Sequence, residues 1–262
     1  RDTLRLVGDP QRPRLVTGRT GVDHTERMES WARGRVAELE KEGLCGFVFK
    51  SDSPSSGMER VKVYDDKGMP RKIGVGVFAR IFMERFPMTP VEEEGRLHDP
   101  VLRENFIERI FTCRRYCEAM GQKRRIGALV DFHSRNKLLL MAHSPKHLKQ
   151  MGEIVARAGD LSSAQRIDRY EQLLMEAMAV KPTPAKHVNV LHHMMGYFKK
   201  DLSAAEKQEL LEVIDAYRRE LVPLIVPVTL MNHYVRKYDE PYLKEQVYLH
   251  PHPLELRLRN HA

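Results

Sequence analysis

Residues 50–57 read Lys-Ser-Asp-Ser-Pro-Ser-Ser-Gly. Within them Lys50, Ser53, Ser55, Ser56 and Gly57 gather a cation, hydroxyls and a conformationally permissive residue into one short loop. Hydroxyls donate and accept, lysine supplies a point charge, and glycine lets the backbone turn its N–H groups toward a ligand. An apolar β-type run, Phe47 to Phe49, stops at this loop, and a second, Val61 to Tyr64, follows it. Ligands of α/β proteins bind at such strand ends. As an anion nest the loop would take a phosphate ester, but no recognisable base accompanies it. A tight turn between two strands is the plain alternative.

The second cluster with chemical potential lies further on. Ten of the 12 histidines follow residue 124. His143 and His147 have the i, i+4 spacing of a metal pair, but Ser144-Pro145 breaks the helix between them and no glutamate stands where a metalloprotease needs it. Capping and packing are the readings that remain for most of these imidazoles. His133-Ser-Arg-Asn-Lys137 is a cationic run inside an otherwise apolar helix. His133 and Lys137 share a face at i, i+4, while Arg135 points elsewhere. The run reads either as a solvated face or as a phosphate contact. Lys199 and Lys200 follow Tyr197 and Phe198, of which one can stack on a base and one belongs in the core. Cys113 and Cys117 lie four apart on a helix and offer two metal ligands where a site needs four, and Cys45 reads as a small core residue. No metal site is expected.

These residues need elements to hold them. Leu4–Val7 and Arg14–Thr17 read as strands across a turn. Asp23 with Glu26 reads as a capping box for a helix that ends at Gly43. The Phe47 strand, the serine loop and the Val61 strand follow, then a turn at 65–68, a helix over 75–86, and a helix from Pro100. Alternating strand and helix predict an α/β layer structure with a mostly parallel sheet. After Gly121 strand signals vanish and helical segments follow over 126–142, 145–155, 162–179, 184–200, 203–222 and 227–238, with Ser203-Ala-Ala-Glu206 a clear capping box. The expected organisation is a Rossmann-like α/β domain over 1–122 and an all-α domain over 123–262, with the boundary near Gln122.

Composition fits a globular chain: 262 residues, 42% hydrophobic and 31% charged. The net charge of +8 is spread over both halves and permits a polyanionic partner. The longest apolar stretch, 221–231, is broken by Pro223 and Pro227, so no membrane span is expected, and the three cysteines predict reduced thiols in a cytoplasm.

Two resemblances sharpen this reading. The stretch 50–57 resembles the Lys-x-x-Ser-Pro-Ser-Cys-Gly loop of the thiouracil desulfidase family, with Ser56 where that family has a cysteine. The resemblance implies a sulfur-removing enzyme with a four-iron four-sulfur cluster held by three cysteines, Ser53 and position 56 in the chemistry, and Lys50, Ser55 and Gly57 around the thiobase. The family's other two cysteines sit in Cys-Leu-Leu-Gly and Cys-Pro-Glu segments that lie ahead of the part resembling Arg1 to Gly8. The chain opens at Arg1 with no Met, so it reads as a fragment or truncated paralogue, inactive as given and without the cluster. Residues 124–262 resemble the YbgA-like domain of unknown function, through His133-Ser-Arg-Asn-Lys-Leu-Leu-Leu-Met-Ala-His-Ser-Pro145, Asn189 to Lys199 and Tyr242 to Pro253. That domain is often fused behind desulfidase domains that act on 4-thiouridine in transfer RNA. The fusion implies an RNA partner, with His133, Arg135, Lys137, Lys199 and Lys200 as contacts. A non-enzymatic RNA-binding protein on the same scaffold is the alternative.

Overall fold

A computed structural model describes residues 2–121, 124–156 and 161–260. The chain divides into two compact units, 1–99 and 100–262. The boundary expected near Gln122 lies outside the described residues.

In the first unit β1 (Leu4–Val7) pairs antiparallel with β2 (Arg14–Thr17) through Leu6↔Leu15. Asp9 makes the turn between them by accepting the Gln11 N–H on its side chain at 2.9 Å. Helix α1 (Thr25–Leu39) buries Ala32, Val36 and Leu39. Its start departs from the expected capping box. His24 is the N-cap, without a side-chain bond, because Asp23 Oδ1 accepts instead from the N–H and Oγ1 of Thr25. Gly43 does end the segment, left-handed at φ 62° after a 3-10 turn, Glu40–Glu42.

β3 (Phe47–Phe49) and β6 (Val91–Glu93) form a separate parallel pair, Phe47↔Val91 and Phe49↔Glu93. β4 (Val61–Tyr64) runs parallel to β1, and β5 (Pro70–Gly74) runs antiparallel to β4. The four-stranded sheet, in order β2-β1-β4-β5, is therefore mixed rather than mostly parallel. The cause is connection length: β1–β2 and β4–β5 are joined by short turns, which only antiparallel partners can use. Helix α2 (Val77–Arg85) sets Phe78 and Phe82 against Phe47 and Phe49, with the Phe47–Phe82 ring centroids 4.4 Å apart and Phe49–Phe82 edge to face at 5.4 Å. This aromatic cluster fixes β3, and with it the start of the serine loop.

The second unit contains α3 (Pro100–Met120), α4 (Ile126–His143), α5 (Pro145–Ala156), α6 (Ser163–Ala179), α7 (Pro184–Met195), α8 (Ala204–Arg218), α9 (Ile225–Lys237) and the short α10 (Pro241–Lys244). Ser162 and Ser203 each close a full capping box, with Gln165 and Glu206, and Thr183 caps α7 ahead of Pro184. Each such cap contributes about 1 kcal/mol. The core is one cluster that includes Leu129, Leu138, Tyr170, Leu191, Met194, Phe198 and Tyr248. The α/β unit followed by a helical unit is the fold class the sequence predicts. No helix among the described residues is long and apolar enough to cross a membrane.

Candidate functional site

The serine loop sits at the carboxyl ends of β3 and β6, and the acidic end of β6 straps it in place. Glu94 accepts from Lys50 Nζ at 2.8 Å and from the Ser51 N–H at 2.7 Å. Those two contacts, lysine first, hold the Glu94 carboxyl down to about 2. Glu93 accepts the Met58 N–H at 3.0 Å. Glu92 binds Arg96 Nε at 2.6 Å, and Arg96 reaches Glu59 at 3.1 Å. Three successive carboxylates thus hold the loop at both ends. Glu92 and Glu93 are each only 6% exposed, which a carboxylate tolerates only when it is bonded.

Inside this frame the hydroxyls converge. Ser53 Oγ accepts the Ser56 N–H at 3.1 Å and lies 3.2 Å from Ser56 Oγ and 3.1 Å from Ser55 Oγ. The backbone carbonyls turn the other way and cap α2: Phe78 N–H donates to Ser55 O at 2.7 Å and Val77 N–H to Pro54 O at 3.3 Å. Since carbonyls occupy the helix start, the loop presents hydroxyls rather than an open anion nest. Two glycines permit this closeness. A Cβ at Gly57 would lie 2.4 Å from Val61 Cγ2 and 2.9 Å from Ser53 O, and one at Gly76 would lie 2.6 Å from Ser55 C and O. Ser53, Ser55, Ser56 and Gly57 are therefore brought together. Lys50 is exposed and tied to Glu94 at the loop's first turn. Sequence reasoning missed Glu92, Glu93 and Glu94. Their signal was a strand made of one valine and two glutamates, Val91–Glu93, where alternation must turn at least one carboxylate inward.

The cationic residues of the helical unit separate. His133 is buried, with Nδ1 3.1 Å from Tyr170 Oη, while Lys137 is exposed. Arg135 pairs with Asp131 at 3.1 Å and Glu245 at 3.3 Å. Lys199 and Lys200 are exposed after a 3-10 turn, Gly196–Phe198. In that turn Phe198 is fully buried, and Tyr197 is 37% exposed and stacked on Tyr242 at 4.9 Å. His143 and His147 diverge as the helix break requires: His147 Nδ1 meets Ser144 Oγ at 2.7 Å, and His143 turns inward. Of the cysteine pair on α3, Cys113 is buried and Cys117 exposed.

Unexpected in the sequence is a buried ionic network. Arg259, 2% exposed, donates to Glu108 Oε1 at 2.7 Å and to Tyr248 O at 2.7 Å. Glu108 Oε2 meets His143 Nε2 at 3.1 Å, and His143 Nδ1 meets Val180 O at 2.8 Å. Arg259, with His143, holds the fully buried Glu108 carboxyl below its usual range against the cost of burial.

Burial makes this unit acid-sensitive. It lowers His133 from 6.5 to about 4 and His187 to about 3, helped by Lys137 and Arg259 respectively. Each imidazole binds fewer protons folded than unfolded between that value and 6.5, so stability is lost as pH falls through the window. Glu104 acts oppositely. Raised by burial from 4.5 to about 7, it removes stability as pH rises between those values. Two imidazoles outweigh one carboxyl, so the thermal midpoint of the chain is expected to fall from pH 6.5 to 4.5. His133→Asn should flatten the fall. A midpoint that holds across this range in the parent chain would contradict the assignment.

Comparison with known proteins gives three findings. Residues 1–94 match the family described as 2-thiouracil desulfurase. Residues 137–253 match a protein family of unknown function, DUF1722. Over 138 residues, 51% of this chain and 80% of the relative, the sequence is 36% identical to the uncharacterized protein YbgA of Escherichia coli strain K12. No solved structure matches the chain significantly.

Proposed function

Because the chain belongs to the YbgA family and carries a 2-thiouracil desulfurase region ahead of that homology, we propose that it is a cytoplasmic RNA-binding member of a sulfur-removing lineage. In this reading it engages transfer RNA through its helical unit and offers the serine loop to a thiobase such as 4-thiouridine, without desulfurase turnover by the chain as given. The observation that carries the RNA part is the Tyr197–Tyr242 stack. Its rings lie 4.9 Å apart at 14°, Tyr197 is solvent-facing, and Lys199 and Lys200 follow within three residues. A stacked aromatic platform beside cations is how single-stranded bases are held.

The cluster that the family implies needs soft thiolate ligands. The loop supplies mutually bonded hydroxyls, with Ser56 at the position of the expected cysteine, and neutral oxygen donors do not fit such a group. No step is routed through it. Anaerobic loading of the chain with iron and sulfide is expected to leave it colourless. A brown chain with about four irons would overturn this and point to the Cys113/Cys117 pair.

The RNA reading is tested with the full chain and unmodified transfer RNA. Affinity should fall steeply with salt, by about 0.7–0.9 in the log–log slope per phosphate neutralised. Lys199→Glu with Lys200→Glu should flatten that slope by roughly one unit for each phosphate no longer neutralised. Tyr197→Ala should cost about 1–3 kcal/mol of affinity at fixed slope. Arg135→Glu with Lys137→Glu asks whether the α4 run contributes. Affinity unchanged in all three variants would remove the reading.

A further inference from the structure

Two histidines stand two apart near the end of the helical unit, in the run His250-Pro251-His252. Hydrogen bonds hold the backbone of this run. His250 N–H donates to Val247 O at 2.9 Å, and Arg115 on α3 donates from Nη1 to Pro251 O at 2.7 Å. Pro251 itself fixes φ between the two rings. His252 is 9% exposed, and its Nδ1 lies 3.2 Å from Pro253 O. A carbonyl only accepts, so Nδ1 carries the proton, and the neutral ring keeps a bare lone pair on Nε2. That Nε2 is buried and has no hydrogen-bond partner. Both imidazoles line one cavity of about 100 Å³, together with apolar side chains such as Val228 and Leu249. Arg257 and Arg259 line it as well, and no carboxylate of a described residue does.

A buried acceptor without a partner costs free energy until something completes it. A histidine whose Nδ1–H is held by a backbone carbonyl, and whose Nε2 is bare, has the pose of a metal ligand, because the outer bond fixes both tautomer and ring direction. The lining then selects the ion. Magnesium and calcium need oxygen-rich sets, which this cavity lacks. Zinc takes four ligands, but among the described residues no third His, Cys, Asp or Glu forms a ligand group with these two histidines. Two guanidiniums in the lining penalise every further unit of positive charge. A simple anion suits the arginines but offers Nε2 nothing, since acceptor would meet acceptor. The ion that carries a single charge and is satisfied by two imidazoles in mostly apolar surroundings is copper(I). We propose that His250 and His252 form a copper(I) site, with His252 Nε2 as the buried ligand and His250 as its partner.

The two rings play unequal parts. His252 is held in place before the ion arrives, by its bond to Pro253 O and by its burial. His250 is exposed, so it gives the ion a way in from solvent. Water is the competing occupant. The cavity has room for more than one molecule, and a water that donates to Nε2 satisfies it equally well. Copper affinity therefore separates a ligand site from a hydrated core histidine.

The test uses the full chain, anaerobic and about one pH unit above the ordinary imidazole range. Copper(I) is supplied from a chromogenic chelator. Every sample carries Cys45→Ser and Cys117→Ser, so that the two thiols not fully buried do not take the ion. The chain is expected to draw one copper from the chelator, to show only nitrogen in the first shell by X-ray absorption, and to melt at a higher temperature once loaded. His252→Gln should abolish capture. His250→Ala, at an exposed position, keeps the test decisive if that variant folds poorly. It removes a ligand outright, so it should weaken affinity beyond the roughly 10–100-fold cost of losing an outer-shell contact. Four results would overturn the proposal: no capture by the parent, affinity unchanged by His250→Ala, sulfur in the first shell, or zinc or acetate raising the thermal midpoint more than copper(I) does.

Discussion

Glu108→Ala is expected to destabilise the helical unit by about 3–5 kcal/mol, the cost of leaving a buried ion without its partner. Three observations set that size. Arg259 is 2% exposed, its Nη2 has Glu108 as its partner at 2.7 Å, and the same carboxylate holds His143 at 3.1 Å. Removing it leaves the guanidinium with the Tyr248 carbonyl and a Glu104 carboxylate at 3.7 Å, and leaves the imidazole nitrogen without its acceptor, in a domain whose whole stability is of order 5–15 kcal/mol. The pair need not stabilise the fold relative to an apolar one, because desolvating two ions offsets most of their attraction. Glu108→Leu combined with Arg259→Met should therefore recover most of the loss. Urea unfolding of the two singles and the double gives the coupling directly. A single-site cost below about 1 kcal/mol would mean that water reaches Arg259 in solution.

The second large effect is expected at Gly76. Its φ of −62° and ψ of 146° suit any residue, so the demand for glycine is purely one of space. A Cβ would stand 2.6 Å from the Ser55 carbonyl carbon and oxygen and 2.7 Å from Ser56 N, and backbone cannot rotate aside as a side chain can. Gly76→Ala should push the loop off the start of α2 at a cost of about 3 kcal/mol, the upper end for overpacking. The Phe78 and Ala79 amides, which donate to Ser55 O, should then exchange with solvent much faster. Protection equal to the parent at both amides would show that the loop and helix are not joined as described.

Much of this was legible in the sequence, for reasons that differ from element to element. The serine loop lies at a strand end because Phe47 to Phe49 is apolar and residues 51–57 are small turn formers; both signals are local. The helices of the second unit announced themselves by apolar period and by Ser203 with Glu206, which forms the capping box observed. β5 was missed because it is an edge strand exposed at all but Gly74, so it carries no apolar alternation. The Asp23 box failed because a nearer donor, Thr25, competes for the same oxygen. His133 and Lys137 share a helical phase, yet one is buried and one exposed, since a face has two edges and only packing decides where the core stops. Least legible were the carboxylates of Glu92 to Glu94 and of Glu104 and Glu108. Their roles depend on partners elsewhere in the chain, up to Arg259 lying 151 residues beyond Glu108, and no window along a sequence contains such a pair.

That separation also orders events during synthesis. Glu108, His143 and the helices that carry them leave the ribosome long before Arg259 exists, so the centre of the helical unit must wait with a carboxylate in place and its guanidinium still to come. Until then the cheapest state is one in which water still reaches Glu108. Locking of this unit is accordingly a late step, set by arrival of the tail and not by formation of the helices. A nascent chain stalled before residue 259 should remain open to protease across α3 and α4, and a chain stalled far enough beyond it should close.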